Sequence, residues 1–193
     1  MNTFNIEGKI LDLSTAKVMG ILNITTDSFF DGGKYLTKNK ILERCKKMIL
    51  EGASIIDIGA QSSRPGAKPI DLETEKKRLL TAISYVKQYF PNIIISVDTY
   101  NAEIARICLL NGANMINDIS GGEMDKEMFE IVADLNAPYI MMHMQGTPEI
   151  MQENPQYKNV VDDILIFFEK KIKQLKNKGF QKIIIDPGFG FGK

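Results

Sequence analysis

The chain reads as an α/β protein built on a TIM-type (β/α)8 barrel, and three features of its 193 residues predict this. Short apolar runs alternate strictly with amphipathic segments of helical spacing, the pattern of parallel strands covered by helices. No Ser- or Pro-rich linker interrupts the alternation, so a single domain is expected over 1–193. Glu51-Gly-Ala-Ser-Ile-Ile-Asp-Ile-Gly59 and Asn111-Gly-Ala-Asn-Met-Ile-Asn-Asp-Ile119 also echo each other, each running helix end, Gly-Ala, strand, acid or amide. Repeated βα units favour a barrel over an open doubly wound sheet, and no G-x-G-x-x-G follows the first strand.

The strands are predicted at Val18 to Asn23, Ile55 to Gly59, Ile93 to Asp98, Met115 to Ile119, Tyr139 to His143 and Ile183 to Asp186, each too brief for a helix and ending in polar residues. Between them, Ile41, Leu42, Cys45, Met48 and Ile49 recur at helical spacing, as do Leu72, Leu79, Leu80, Ile83 and Val86, then Ile104, Ala105, Cys108 and Leu109. Two further helices are predicted around Met128 to Leu135 and Val160 to Leu175. Gly52 and Gly112 suit helix C-terminal caps.

Composition excludes several functions. With 24 basic against 24 acidic side chains and no basic tail, nucleic acid is not an expected partner. The N-terminus lacks a basic region followed by an apolar one, and no stretch approaches the roughly 18 apolar residues of a membrane span. Cys45 and Cys108 fall on apolar helix faces, which predicts buried thiols in a reducing compartment, and hence a cytoplasmic protein.

In a barrel the C-terminal strand ends converge on one mouth, where chemistry is done. Those ends carry Asn23, Asp57, Asp98, Asn117 and Asp186. Strand parity points Asp98 with Ser96, and Asn117 with Met115, into the barrel, while Val97 and Ile116 face the helices. Carboxylates and amides so placed suit a flat, nitrogen-rich heterocycle; singly, such residues also cap turns. Two loops are too long to be connectors, 24–38 and 60–70. The first sets hard oxygens near Asn23, with Asp31 able to join it on Mg²⁺. The second presents Ser62-Ser-Arg-Pro-Gly66, whose Arg64 suits a phosphate.

Other motifs fail. The ending Gly188-Phe-Gly-Phe-Gly-Lys193 lacks the first glycine of a phosphate loop, where Pro187 stands. His143 is the one histidine, so a His-based metal site is excluded, and a hydrogen-bonded structural role is expected for it. No G-x-S-x-G provides a nucleophilic serine. Met141, Met142 and Met144 read mostly as core filler, with Met142 or Met144 able to pack on a planar ligand.

Six ordered segments together resemble dihydropteroate synthases: 19–33 (MGILNITTDSFFDGG), 55–67 (IIDIGAQSSRPGA), 96–99 (SVDT), 116–122 (INDISGG), 142–148 (MHMQGTP) and 186–193 (DPGFGFGK). The resemblance implies an eight-stranded TIM barrel. It also implies a reaction joining 4-aminobenzoate to a dihydropterin carrying a methylene pyrophosphate, with Mg²⁺ as cofactor and sulfonamides as mimics of the aminobenzoate. Small molecules are then the partners, and a homodimer is possible.

Position by position, the resemblance places Asp98, Asn117 and Asp186 on the pterin edge and Met142 along its pocket. Asn23 and Asp31 fall at the magnesium and pyrophosphate positions. Ser63, Arg64, Pro65 and Phe191 fall in the aminobenzoate region, and Phe29 in the first loop. Asp31, Arg64 and Asp98 become the catalytic candidates. Thr26, Phe30, Gln61 and Ser63 depart from the family's usual Pro, small polar, Glu and Thr. A barrel typically needs about 250 residues, so the chain is expected to be incomplete at its C-terminus, short of two βα units with their lysine and Arg-x-His segments. A pterin-dependent methyltransferase and a noncatalytic pterin-binding fragment stay open as alternatives, though the Ser-Ser-Arg-Pro-Gly and Thr-Thr-Asp-Ser-Phe loops favour the synthase.

Overall fold

The computed structural model describes residues 3–6, 8–24, 30–31, 35–61, 70–148 and 150–193. A hairpin of β1 (Thr3–Ile6) and β2 (Lys9–Asp12) precedes β3 (Val18–Asn23), the short β4 (Phe30–Asp31) and β5 (Tyr35–Leu36), and α1 (Lys38–Leu50). Strands and helices then alternate as β6 (Ala53–Gly59), α2 (Leu72–Tyr89), β7 (Ile94–Asp98), α3 (Ala102–Leu110), β8 (Met115–Asp118), α4 (Met128–Asp134), β9 (Tyr139–Met142), α5 (Val160–Asn177) and β10 (Ile183–Asp186).

The main sheet has the order β10-β9-β8-β7-β6-β3 and every pair in it is parallel. Sequential order follows because each βα crossover steps one strand along. The five helices among the described residues pack on one face: Ile56, Ile58, Val97, Ile116 and Met141 share a cluster with Ile41, Cys45, Leu79, Ile83, Cys108, Phe129 and Phe168. A doubly wound sheet would cover both faces with helices, so the sequential order and one-sided cover give a barrel-type fold.

The opposite face of the same strands carries Ile55, Ile94, Met115 and Ile140, which pack with Ile6 and Leu11 of the hairpin. This alternation agrees with the predicted parity: Met115 faces inward while Val97 and Ile116 face the helices. Gly52 and Gly112 follow α1 and α3 with φ of +104° and +109°, as expected of terminating glycines. Asp71 and Asn101 start α2 and α3 by accepting from the Thr74 and Ile104 amides, each at 2.9 Å.

Strand limits differ little from expectation. β6 starts two residues earlier than its apolar run, because Ala53 pairs with Val18 across a register shift. β8 and β9 each stop one residue sooner than predicted. The β1–β2 hairpin, like the short antiparallel pair β4 and β5 inside the predicted loop 24–38, is an element the sequence reading did not find. Its ladder closes at Ile6 and Lys9 across Glu7-Gly8, with Gly8 at φ +84°. Lys182 Nζ holds it to the strand layer by donating to the Asn5 carbonyl at 2.8 Å and the Asn136 carbonyl at 3.0 Å. Cys45 and Cys108 are free and buried, and burial pushes their thiols up to about 11 and about 12. Among the described residues no helix is long and apolar enough to cross a membrane.

Leu11, 4% exposed, plugs the end of the inner face. Leu11→Ala should cost about 2–5 kcal/mol, as large-to-small core changes do. Urea unfolding measures this, and an unchanged midpoint would show that the hairpin lies on the strands without sealing them.

Candidate active site

Parallel register sets the site. Gly59 pairs with Asp98 and Asp98 with Asn117, so the ends of β6, β7 and β8 lie level, while Asp57 sits one inward-facing position deeper, opposite Ser96. Neighbouring strands lie about 4.8 Å apart, which brings three side chains capable of hydrogen bonding within reach of one small ligand. Asn117 Nδ2 donates to Asp57 Oδ2 at 3.0 Å, leaving its amide oxygen as an acceptor of fixed orientation. Asp57 is 3% exposed, and its Oδ1 and the Ser96 hydroxyl are buried with no hydrogen-bond partner. A buried acceptor without a donor costs about 1–3 kcal/mol, and a bound N–H would relieve it.

Carboxylates crowd this end of the sheet. Burial pushes the Asp98 carboxyl up to about 8, and the charges of Asp57, Asp118 and Glu75 push the same way. Burial likewise raises Asp57, opposed by the neighbouring Ser96 hydroxyl, which lies close enough to favour the charged form without meeting hydrogen-bond geometry, and by the Asn117 amide. Asp118 is fully buried but well supplied: it accepts from Tyr139 Oη at 2.7 Å, from the Ser120 amide and hydroxyl at 2.8 and 2.7 Å, and from the Gly122 amide at 2.9 Å. It therefore shapes the β8–α4 turn and offers no free acceptor. Asp98 finds no donor among the described residues, which makes it the carboxyl available to a ligand.

Gly59 is small for a reason. A Cβ there would stand 2.8 Å from Asn23 Oδ1 and 3.2 Å from Asp98 Oδ2, so Asn23 and Asp98 approach each other across a bare backbone. On the far side Asp186, ending β10 level with Met142, accepts from the Gly188 amide at 2.8 Å. Met142, Met144 and Met151 form a small buried cluster on which Phe191 packs. The loops after β9 and β10 are knotted together: Gln152 Nε2 donates to the Gly190 carbonyl at 2.7 Å, and Tyr157 Oη to the Gly192 carbonyl at 2.7 Å.

The structure thus brings Asn23, Asp98, Asn117, Met142, Asp186 and Phe191 to the C-terminal ends of the strands and their loops. Phe29, Ser63, Arg64 and Pro65 lie outside the described residues, and so does the Asp31 side chain, whose backbone belongs to β4. Asp57 stood among the strand-end acids in the sequence but had no assigned role; its orphaned oxygen marks it as part of the site. Glu75, 3% exposed, was missed. Its spacing from Leu79, Ala82 and Val86 on the apolar stripe of α2 was the available signal, since an acid there needs partners. His143 packs edge-on against Phe167 with centroids 4.9 Å apart, and its buried Nδ1 has no partner, so the expected hydrogen bond is not found at that atom. Among the described residues no three His, Cys, Asp or Glu side chains gather as a self-sufficient metal site.

Asp98 makes stability depend on pH. Its folded value of about 8 lies above the ordinary carboxylate value. The folded chain therefore keeps a proton that the unfolded chain has released, and the stabilisation, complete at acid pH, is lost as pH rises through about 8. Asp98→Asn should flatten that decline across neutral pH, by up to about one proton in the linkage slope. Thermal unfolding against pH reads the difference, and superimposable slopes would refute the assignment.

A model of the family described as pterin binding enzyme matches residues 19–193. The folic acid synthesis protein fol1 of Schizosaccharomyces pombe is 42% identical over 184 residues, covering 94% of this chain and 25% of that protein. The dihydropteroate synthase of Yersinia pestis, solved as a sulfonamide drug complex, superposes with a TM-score of 0.87 at 38% identity over 99% of this chain and 69% of its own. That of Xanthomonas albilineans, solved with 4-aminobenzoic acid, gives 0.85 at 37% identity over 100% and 68%. The chain therefore spans about a quarter of the first relative and about two thirds of each solved enzyme.

Proposed function

The chain belongs to the pterin binding enzyme family, and we propose that residues 1–193 form one pterin-binding domain of a dihydropteroate synthase. The observation carrying this reading is the trio Asp57, Asp98 and Asn117: an amide fixed by one buried carboxylate beside a second that finds no donor among the described residues. A pterin's 2-amino and ring N–H groups supply donors, and its 4-oxo group and unprotonated ring nitrogens supply acceptors, so Asp98, Asn117 and Asp186 can read both. Donors from the ligand also offset the burial, and the neighbouring like charges, that hold Asp98 up. Met142 and Phe191 would provide apolar contact for flat rings.

In the proposed reaction the C–O bond between the pterin methylene and pyrophosphate breaks, the C–N bond to 4-aminobenzoate forms, and the amine loses a proton. Negative charge develops on the departing pyrophosphate, where Arg64 would hold phosphate oxygens by two parallel hydrogen bonds. Asn23 supplies a hard oxygen at the mouth, and with Asp31 and substrate oxygens this donor set fits Mg²⁺, which commonly takes one or two carboxylates plus phosphates. Bound there, Mg²⁺ would neutralise charge on the leaving group. Asp31 would face the methylene carbon as it becomes electron-poor. Ser63, Pro65 and Phe29 are assigned to the 4-aminobenzoate side. Its partners would be these small molecules, and the two buried, unpaired thiols suit a cytoplasmic protein.

Calorimetric titration with a dihydropterin analogue tests the pocket. Asp98→Asn and Asp186→Asn each turn an acceptor-only group into one that also donates, and each should weaken binding about tenfold or more, the effect of one mismatched buried polar edge. Equal affinity in both variants would remove these residues from the pocket.

For the metal, Mg²⁺ should bind weakly alone and more tightly with pyrophosphate, because the protein provides few ligands of its own. Asn23→Ala should abolish that coupling. Metal titrations in which pyrophosphate makes no difference to the intact chain would contradict the assignment.

A further inference from the structure

We propose that Glu75 is a positioning residue whose single buried carboxylate fixes the end of β6 relative to the end of β7. Its Oε1 accepts from Thr99 Oγ1 at 2.9 Å, and its Oε2 accepts from Gln61 Nε2 at 3.2 Å. Thr99 directly follows Asp98, and its amide donates to the Asn117 carbonyl at 3.1 Å. Gln61 is the second residue of the second long loop, just past Gly59. The carboxylate therefore bridges the chain that carries Asp98 and the chain that leads toward Ser63, Arg64 and Pro65, which lie outside the described residues.

Two further features make the bridge firm. Glu75 sits in the first turn of α2, where the helix dipole favours negative charge, and its own amide is fixed by the Asp71 carbonyl at 3.0 Å. One turn later Arg78 Nη1 donates to the Ala60 carbonyl at 3.3 Å. Residues 60 and 61 are thus gripped at backbone and side chain by one helix. Thr99 Oγ1 in turn accepts from the Asn101 amide at 3.2 Å, at the N-cap of α3. Asp98 is the last paired residue of β7 and Gly59 the last of β6, so Glu75 ties the two chains together just past the point where the ladder between them ends.

The proposal rests on the pterin-binding reading only for its consequence, not for its geometry. Glu75→Ala removes both acceptors and should break the bridge, whereas Gln61→Ala removes only its arm toward β6. On the intact chain, amide hydrogen exchange at Thr99 and Asn101 should speed up about tenfold in Glu75→Ala and by less than about threefold in Gln61→Ala. Affinity for a dihydropterin analogue should fall in Glu75→Ala. If Glu75→Ala does not fold, Glu75→Asp, whose shorter arm cannot reach both donors, takes its place in both measurements. Exchange at Thr99 and Asn101 unchanged in the variant overturns the proposal. So does a rise in exchange spread evenly over β6, β7 and α2, the mark of general destabilisation. A parent chain that binds no pterin would defeat the functional reading alone, because the exchange measurement still decides the role of Glu75.

Discussion

The register in which β6, β7 and β8 pair is the constraint on which the site depends. A parallel strand presents alternate residues to opposite faces, so one step of slippage would send Asp57, Asp98 and Asn117 into the helical layer and bring Ile56, Val97 and Ile116 to the mouth. Apolar burial forbids that step. Ile56, Val97 and Ile116 are fully buried beneath helices, and their loss to solvent would cost several kcal/mol, at about 1.5–3 kcal/mol per large apolar side chain. The polar site thus inherits its precision from the packing of residues on the other face of the same strands.

The carboxyl groups at this end of the sheet form a graded series. Asp118 accepts from four donors and serves the turn after β8. Glu75 accepts from two and links two strand ends. Asp57 has one donor and one orphaned oxygen, and Asp98 finds no donor at all among the described residues. Acids that serve the fold are satisfied by it, whereas Asp57 and Asp98 stay short of donors among the described residues. Their separate environments, more than their number, distinguish support from binding.

Much of this was legible in the sequence. Strand positions followed from apolar runs too short for helices, and the two faces followed from parity, because burial alternates with period two whatever the neighbours. The hairpin was not legible in the same way. Its strands are four residues each, and the residues that matter, Ile6 and Leu11, reveal their purpose only when Ile55, Ile94, Met115 and Ile140 lie above them. Glu75 was hidden for a related reason: helical spacing put it on the apolar stripe, but its partners Gln61 and Thr99 are 14 and 24 residues away along the chain. Long-range polar pairing has no local signature. Asp98 and Asp186, by contrast, announced themselves by standing where strands end.

The two cysteines give the helical layer built-in reporters. Cys45 on α1 and Cys108 on α3 are wholly buried, and their thiols are shifted far from the pH at which thiolate forms in water. A thiol reagent can meet either one only after its helix lifts from the sheet. The rate at which each sulfur is alkylated is therefore a clock for the opening of its own helix. With no third cysteine in the chain to confuse the count, comparing the two clocks distinguishes a layer that opens piecemeal from one that opens as a unit.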